Sequence, residues 1–223
     1  MPRLPRLSIA GDGPSAEAVV LLLHGGTAES VVPVRALDPS VLRMFPFGRS
    51  ALRAGQRRIV LATLRYAVRG WNGEMESPLQ DARWALDQIA ERFADLPIGL
   101  IGHSMGGRVA LRVADHLAGP AGGVSSVAAL APWLPPGEPI SPMSHQRLLL
   151  AHGTADRITD PGQTFALAEN LAAEGVDVEL VKFPGGRHSM LFPAKPWHDL
   201  ATSFMVRTLL APVPGDPGAH LQR

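Results

Sequence analysis

The chain contains no cysteine and few charged residues, and each shortage excludes a group of functions. None of its 223 residues is cysteine, and Asp, Glu, Lys and Arg together make up 18%, compared with about 25% in an average globular domain. Without thiols the chain can form no disulfide, no thiolate nucleophile and no zinc–cysteine site. Its formal net charge of +1 gives no electrostatic reason to expect nucleic acid or a membrane as a partner.

Long apolar runs and signal-peptide features are missing as well. The apolar run 18–23 is too short to cross a bilayer, which requires about 20 apolar residues. The basic segment 1–7 has no apolar core segment beside it, so it does not resemble a signal peptide. We therefore expect no membrane span, with the cytoplasm as the default location.

The sequence also lacks the common signatures of metal and nucleotide sites. It has no His-x-x-x-His pair of the kind that binds zinc on a helix. Neither the Gly-x-x-x-x-Gly-Lys phosphate loop nor the Gly-x-Gly-x-x-Gly dinucleotide fingerprint occurs. We expect a protein without a metal and without a cofactor.

Short apolar runs rich in Val, Leu and Ile alternate with amphipathic segments. Such an alternation predicts an α/β fold with a mostly parallel central sheet and helices on both faces. We expect a single domain over residues 1–223, with 1–16 and 211–223 as flexible tails apart from an edge strand at 7–10. The other predicted strands are 17–23, 58–64, a run from Ile98, 124–130, 147–151 and 176–183, and the predicted helices are 41–54, 78–93, a segment after Ser104, 160–173 and 197–210.

The central run from Ile98 leads directly into Gly102-His-Ser104-Met-Gly106 and then into a helical pattern. A serine at a sharp strand-to-helix turn needs small neighbours, because the backbone there is strained and passes close to other elements. Such a turn exposes the hydroxyl above the sheet and aims the N–H of Met105 at a developing oxyanion. The context predicts Ser104 as a nucleophile, and an ordinary glycine-rich turn is the alternative.

Two further polar residues follow later strands. Asp156 lies in the turn after strand 147–151, and His188 lies in the glycine-rich loop after strand 176–183. Ligands of open α/β sheets bind beyond the carboxyl ends of the strands, where these loops should meet. The alternatives are a turn or cap role for Asp156 and an exposed loop position for His188.

The order Ser104, Asp156, His188 is that of the α/β-hydrolase superfamily, and the chain resembles this superfamily. The resemblance covers residues 17 to 210 and rests on five segments: 22–26, 69–73, 102–107, 152–156 and 186–188. It implies the α/β-hydrolase fold, a catalytic triad, acyl-type hydrolysis and a second oxyanion donor, the N–H of Gly26. A separate cap domain does not fit, because only 16 residues separate strands 124–130 and 147–151.

Two other acids compete with Asp156 for the third role. Asp160 is followed by Pro161, which makes it a better helix N-cap. Glu138 follows the preceding strand, a position that some relatives use, and is the weaker alternative. Among the histidines, we expect His24 to stabilise its loop by hydrogen bonding and His103 to have a packing role.

These residues predict a serine hydrolase that cleaves carboxylic esters or thioesters through an acyl-enzyme. In this hypothesis His188 takes the proton of Ser104 and later donates it to the leaving group, and Asp156 orients the imidazole. The expected partner is a small-molecule acyl substrate. An acyltransferase or peptidase on the same scaffold, and a non-catalytic ligand-binding protein, are the alternatives.

The loops that follow the carboxyl ends of the strands, called exit loops here, also carry apolar and basic residues. These residues could contact a substrate. Segment 28–56 could form a partial lid, in which Met44, Phe45 and Phe47 either line an acyl pocket or cover the sheet edge. Arginines in these loops could attract an anionic substrate, although solvated or paired side chains are the more common role. The predicted apolar wall is Trp71, Trp133, Leu134 and Met190, and the arginines are Arg69, Arg157 and Arg187.

Overall fold

One seven-stranded sheet runs through the computed structural model, which describes residues 4–117, 123–140 and 145–211. Its strands are β1 (Arg6–Ala10), β2 (Ala18–Leu23), β3 (Ile59–Arg65), β4 (Ile98–His103), β5 (Val124–Leu130), β6 (Arg147–Gly153) and β7 (Asp177–Phe183). The strand order is β1-β3-β2-β4-β5-β6-β7. Only β1 is antiparallel to its neighbour, and the other five pairings are parallel.

Helices cover both faces of the sheet, as predicted. They are α1 (Pro39–Leu42), α2 (Phe45–Ala54), α3 (Ser77–Arg92), α4 (Met105–Val113), α5 (Pro161–Ala173) and α6 (Lys195–Leu209). Apolar residues of α3, α4 and α5 pack with one side of the sheet in the larger core cluster, and those of α2 and α6 pack with the other side. No helix in the described ranges is long and apolar enough to cross a membrane.

Of two predictions about the amino-terminal third, one is confirmed and one is wrong in detail. The edge strand predicted at 7–10 is β1, which pairs with β3 from Arg6↔Arg65 to Ala10↔Leu61. The single helix predicted at 41–54 is two helices, and Pro46 lies in the first turn of the second. Proline fits a first turn but disrupts a helix interior, since it has no N–H to donate.

The strand order places the exit loops of the central strands side by side. From β2 the chain moves to β3 on one side, and β4 then returns to the other side of β2. Such a reversal opens a crevice at the carboxyl ends of the strands. No helix or strand is present in the described residues 131–140 and 145–146 between β5 and β6, so nothing described there forms a cap over this crevice.

Candidate active site

Ser104 occupies a strained turn between β4 and α4. Its φ of 58° and ψ of −120° are rare for a residue with a side chain. The turn is possible because its two flanking glycines permit close backbone contacts. A Cβ on Gly102 would lie 2.1 Å from the carbonyl oxygen of Gly106, and a Cβ on Gly106 would lie 2.1 Å from that of Leu23.

The structure brings the side chains of Ser104, Asp156 and His188 together. His188 Nε2 lies 3.0 Å from Ser104 Oγ, and His188 Nδ1 lies 2.8 Å from Asp156 Oδ2. The Asp156 side chain is 0% exposed, whereas 16% of the His188 side chain remains accessible. The imidazole can therefore accept a proton from the hydroxyl while the carboxylate holds the opposite ring nitrogen.

Four donors besides His188 hold the buried carboxylate of Asp156. Oδ1 accepts the backbone N–H groups of Ile158 at 2.8 Å and Thr159 at 3.1 Å. Oδ2 accepts the Thr159 hydroxyl at 2.9 Å and lies 3.1 Å from His152 Nε2. Burial opposes the charge, but these backbone bonds and the bond to His188 lower the pKa of Asp156. The carboxylate is thus ionised and fixed in orientation.

Thr159 and His152 also hold the carboxylate of Asp156, although neither was among the predicted site residues. His152 is 0% exposed and its Nδ1 lies 2.7 Å from the hydroxyl of Thr164, which leaves Nε2–H to donate to Asp156. Thr159 Oγ1 also lies 3.1 Å from His188 Nδ1. The Asp-x-x-Thr spacing is a local signal for such a side chain-supported turn.

Gly26 and Met105, whose N–H groups are the predicted oxyanion donors, lie in adjacent loops, since a Cβ on Gly26 would lie 2.4 Å from Met105 Cε. Among the described residues neither N–H donates a hydrogen bond. The loop of Gly26 is fixed by the Thr27 N–H, which donates to the carbonyl of Arg69 at 3.0 Å. A Cβ on Gly26 would lie 2.3 Å from that carbonyl, so only glycine fits. The two donors are available for an oxyanion.

His24 stabilises the loop that follows β2 by hydrogen bonding, in agreement with the prediction. Its Nδ1 lies 2.7 Å from the carbonyl of Gly25, and its Nε2 accepts the Tyr66 N–H at 3.3 Å. The ring therefore carries its proton on Nδ1. Burial lowers the pKa of His24 to about 4, so the ring is neutral at physiological pH.

Two side chains hold consecutive carbonyls of the His188 loop. His103 Nε2 lies 2.9 Å from the carbonyl oxygen of His188, to which it donates. Arg43 Nη1 donates to the next carbonyl, that of Ser189. Burial lowers the pKa of His103 to about 3, which keeps it neutral beside His188. His103 thus connects the end of β4 directly to the backbone of His188, a contact more specific than the packing role predicted for it.

Glu138, the weaker alternative to Asp156, belongs to a buried ion-pair network. Its carboxylate pairs with Arg108 at 2.7 Å and with Arg112 at 2.9 Å, and 5% of its side chain is exposed. It therefore holds its loop against α4 and is not the acid of the site. Asp160 is a helix N-cap as predicted, since its Oδ1 accepts the Gly162 N–H at 2.8 Å.

The predicted apolar wall is only partly available to a substrate. The guanidinium of Arg108 lies 3.6 Å from the ring centroid of Trp71 and 4.8 Å from that of Trp133. Trp71 and Leu134 are 4% and 7% exposed. These two residues belong to the core beneath the site, because Trp71 packs on Arg108 and Leu134 joins the larger core cluster. Trp133 is partly buried.

An apolar groove of about 350 Å³ lies beside the His188 loop. It separates α1 and α2 from the loop that carries Met190. Met44 and Phe47 are buried in the second core cluster, where Phe47 also lines the groove, while Phe45 is half-exposed. Pro39 also lines a smaller cavity at Gly26. The residues lining the apolar groove are Pro39, Leu42, Arg43, Pro46, Phe47, Met190, Leu191, Ala194 and His198.

A second cavity, of about 380 Å³, borders His188 between the exit loops of β6 and β7. We call it the arginine cleft. Of the three arginines considered as substrate-attracting, Arg69 is paired with Asp38 at 2.9 Å, whereas the other two line this cleft. The residues of the arginine cleft are Ala155, Arg157, Ile158, Arg187, His188 and Ser189.

Two protein-family models match parts of this chain. A family model described as Serine aminopeptidase, S33 matches residues 47–148, and one described as Prolyl oligopeptidase family matches residues 121–210. Each match covers less than half of the chain. No curated protein matches the sequence.

Several solved structures share the fold. An α/β serine hydrolase without lid from Xanthomonas campestris is 19% identical, with a TM-score of 0.66 over 94% of this chain and 91% of that one. The butyrate-bound esterase Est2 from Thermogutta terrifontis is 18% identical, with a TM-score of 0.68 over 94% and 91%. A monoacylglycerol lipase from Paleococcus ferrophilus is 18% identical, with a TM-score of 0.66 over 92% and 99%.

The bond from His103 to the His188 carbonyl gives a first prediction. His103→Leu removes the donor and should lower kcat about ten- to a hundredfold with little change in KM, because small displacements of reacting groups are costly. His103→Gln places an N–H near the position of Nε2 and should restore most of kcat. Steady-state kinetics on one ester measures both.

His116→Leu is the control for this experiment, since His116 pairs with Asp87 away from the site. It should leave kcat unchanged. Equal kcat values for the His103→Leu and His103→Gln variants would contradict a positioning role and indicate only general packing.

The buried neutral histidines predict a stability that depends on pH. His24 and His103 have lowered pKa values in the folded state, whereas an unfolded histidine titrates near pH 6.5. Below that pH the unfolded state binds more protons, so the free energy of unfolding should fall as pH decreases from about 6.5 toward 5. Each of the two histidines adds up to about 1.4 kcal/mol per pH unit to the slope of the free energy of unfolding against pH.

Urea unfolding at several pH values measures this slope. In the His103→Gln variant this slope should be smaller, because the contribution of His103 is lost. A free energy of unfolding that is constant between about pH 6.5 and 5 would show that these rings accept protons in the folded state.

Proposed function

We propose that this chain, a serine hydrolase of the α/β-hydrolase superfamily, cleaves carboxylic esters or thioesters of apolar acyl groups through an acyl-enzyme intermediate. The observation that carries the proposal is the line of contacts from Asp156 to His188 to Ser104, at 2.8 Å and 3.0 Å. In this geometry the hydroxyl has a base within reach and the base has a fixed orientation.

Acylation of Ser104 follows from these contacts. Oγ attacks the acyl carbon and its proton passes to His188 Nε2, while Asp156 stabilises the imidazolium. The carbonyl oxygen becomes an oxyanion that the N–H groups of Gly26 and Met105 stabilise. The bond to the leaving oxygen or sulfur then breaks, and that atom takes the proton from His188. Water repeats the sequence on the acyl-enzyme and releases the acid.

The surface around the site favours an apolar substrate. The apolar groove runs beside the His188 loop, and exposed apolar side chains concentrate at the same edge of the sheet. Apolar patches of this kind mark binding regions. The exposed residues in segments that follow strand carboxyl ends are Val31, Val32, Leu37, Leu42, Phe45, Met75, Ile158, Leu191 and Phe192.

An esterase fits these surroundings better than the peptidase that both family descriptions name. An aminopeptidase must bind the charged amino terminus of its substrate, for which a free carboxylate is the usual partner. No Asp or Glu lines the apolar groove or the arginine cleft. Asp38 lines the smaller cavity at Gly26, but its carboxylate is paired with Arg69 at 2.9 Å. The Est2 esterase has the same fold and was solved with bound butyrate, which supports a short acyl group in the substrate of this protein.

The nucleophile is tested by labelling with a fluorophosphonate probe. Wild type should be labelled and should hydrolyse p-nitrophenyl butyrate, whereas Ser104→Ala and His188→Ala should lose at least about a thousandfold in kcat/KM. Ser203→Ala, an exposed serine on α6, is the control and should be labelled normally.

The outcomes separate the alternatives. Folded wild type that reacts with neither probe nor ester would overturn the hydrolase proposal in favour of a ligand-binding protein. Faster cleavage of aminoacyl p-nitroanilides than of esters would replace the esterase with a peptidase. Acyl transfer to an added alcohol that outpaces hydrolysis would identify an acyltransferase.

The apolar groove predicts a dependence on acyl-chain length. Leu42→Asn places a polar side chain in the groove and should lower kcat/KM for p-nitrophenyl hexanoate about three- to tenfold relative to the acetate, since each buried methylene contributes about 0.8 kcal/mol. Leu4→Asn, on an exposed leucine that precedes β1 and lies outside the groove, should not change the ratio. An unchanged ratio in the Leu42→Asn variant would place the acyl chain elsewhere.

A further inference from the structure

The arginine cleft has rigid walls although its arginine side chains are exposed. Its two loops are joined by backbone hydrogen bonds, from Thr154 N–H to the Phe183 carbonyl at 2.9 Å and from Ala155 N–H to the Gly186 carbonyl at 3.0 Å. A Cβ on Gly153 would lie 2.3 Å from the Gly186 carbonyl oxygen, so the loops are in direct contact. The cleft is therefore a fixed depression beside His188.

The charge of the cleft is positive. Among the described residues, neither Arg157 nor Arg187 forms an ion pair. The carboxylate of Asp156 points inward and its side chain is 0% exposed, and that of Asp160 caps α5. The lining residues include two arginines and no acid, so the formally charged residues of the cleft are both cationic.

The chemistry of the proposed reaction places the leaving group near His188. The imidazole that takes the proton from Ser104 must deliver it to the leaving oxygen when the ester bond breaks. The departing alcohol therefore lies against His188 at that moment. The arginine cleft borders the same side chain and is open to solvent, so a leaving group can enter it and depart.

We propose that the arginine cleft binds the leaving group of the substrate, and that this alcohol carries a carboxylate or phosphate. The proposal rests on the proposed function and adds a class of leaving group to it. Arg157 follows β6 and Arg187 follows β7, so each loop of the cleft contributes one guanidinium group that can pair with an anion. The substrate is then an ester with an apolar acyl chain in the groove and an anionic alcohol in the cleft.

The bond changes are those of the ester reaction. Ser104 Oγ bonds to the acyl carbon, the bond from that carbon to the leaving oxygen breaks, and His188 returns the proton to that oxygen. The anionic group of the alcohol keeps its charge throughout. Because both guanidinium groups are exposed, we expect a modest selectivity that salt screens.

Matched butyrate esters test this proposal. The leaving groups are meta-hydroxybenzoate, meta-hydroxyphenyl phosphate and the neutral meta-hydroxybenzamide, so the acyl group stays constant. For wild type at low salt, kcat/KM for each anionic ester should be about fivefold higher than for the neutral benzamide ester. This ratio of kcat/KM values should approach one at about 0.5 M salt.

The double variant Arg157→Gln/Arg187→Gln should lose the preference even at low salt. Arg53→Gln, in the last turn of α2, removes an exposed arginine outside the cleft and should retain it, which separates local contacts from net charge. The anionic ester with the larger ratio identifies the anion for which the cleft is better suited.

Two results would overturn the proposal. The first is a wild-type ratio of one at low salt, and the second is a preference that survives in the double variant. Hydrolysis of the neutral ester keeps these outcomes separate from the hydrolase proposal. Turnover of that ester without anionic preference rejects the cleft alone, whereas no turnover and no probe labelling rejects the hydrolase proposal.

Discussion

The strained backbone of Ser104 is the constraint on which the rest of the site depends. A φ of 58° in a residue with a side chain is unfavourable by about 1–3 kcal/mol, so the surrounding structure must hold it. Gly102 and Gly106 allow the contacts that do so, since a Cβ at either position would overlap a neighbouring carbonyl. The turn directs the hydroxyl toward His188 and places the Met105 N–H at the start of α4. One local distortion therefore supplies both the proposed nucleophile and a proposed oxyanion donor.

Buried polar contacts then fix the other side chains relative to this turn. The Asp156 carboxylate is held by its own loop and by the histidine it orients, so its charge is compensated within the protein. His103 connects β4 to the carbonyl of His188 at 2.9 Å, and Arg43 holds the neighbouring carbonyl. The described residues between β5 and β6 form no cap, so these contacts position His188, the proposed base.

The local part of this arrangement could be predicted from the sequence. Apolar runs and the glycine-rich loops that follow them are local sequence patterns. Parallel strands bring their carboxyl ends together, so the order of the elements predicted that Ser104, Asp156 and His188 lie at one edge of the sheet. The contact from Arg43 to the loop of Ser189 joins positions 146 residues apart. No local pattern indicates such a contact. Trp71 illustrates the same limit, since its exit-loop position suggested a substrate wall and its packing on Arg108 depends on tertiary structure.

The central claim is that Ser104 forms a covalent acyl intermediate, and mass spectrometry of acid-quenched reaction mixtures tests it most directly. Protein mixed rapidly with p-nitrophenyl butyrate and quenched during turnover should gain one butyryl group, and peptide mapping should place it on Ser104. Ester turnover without a covalent adduct, or an adduct confined to another residue, would contradict the account.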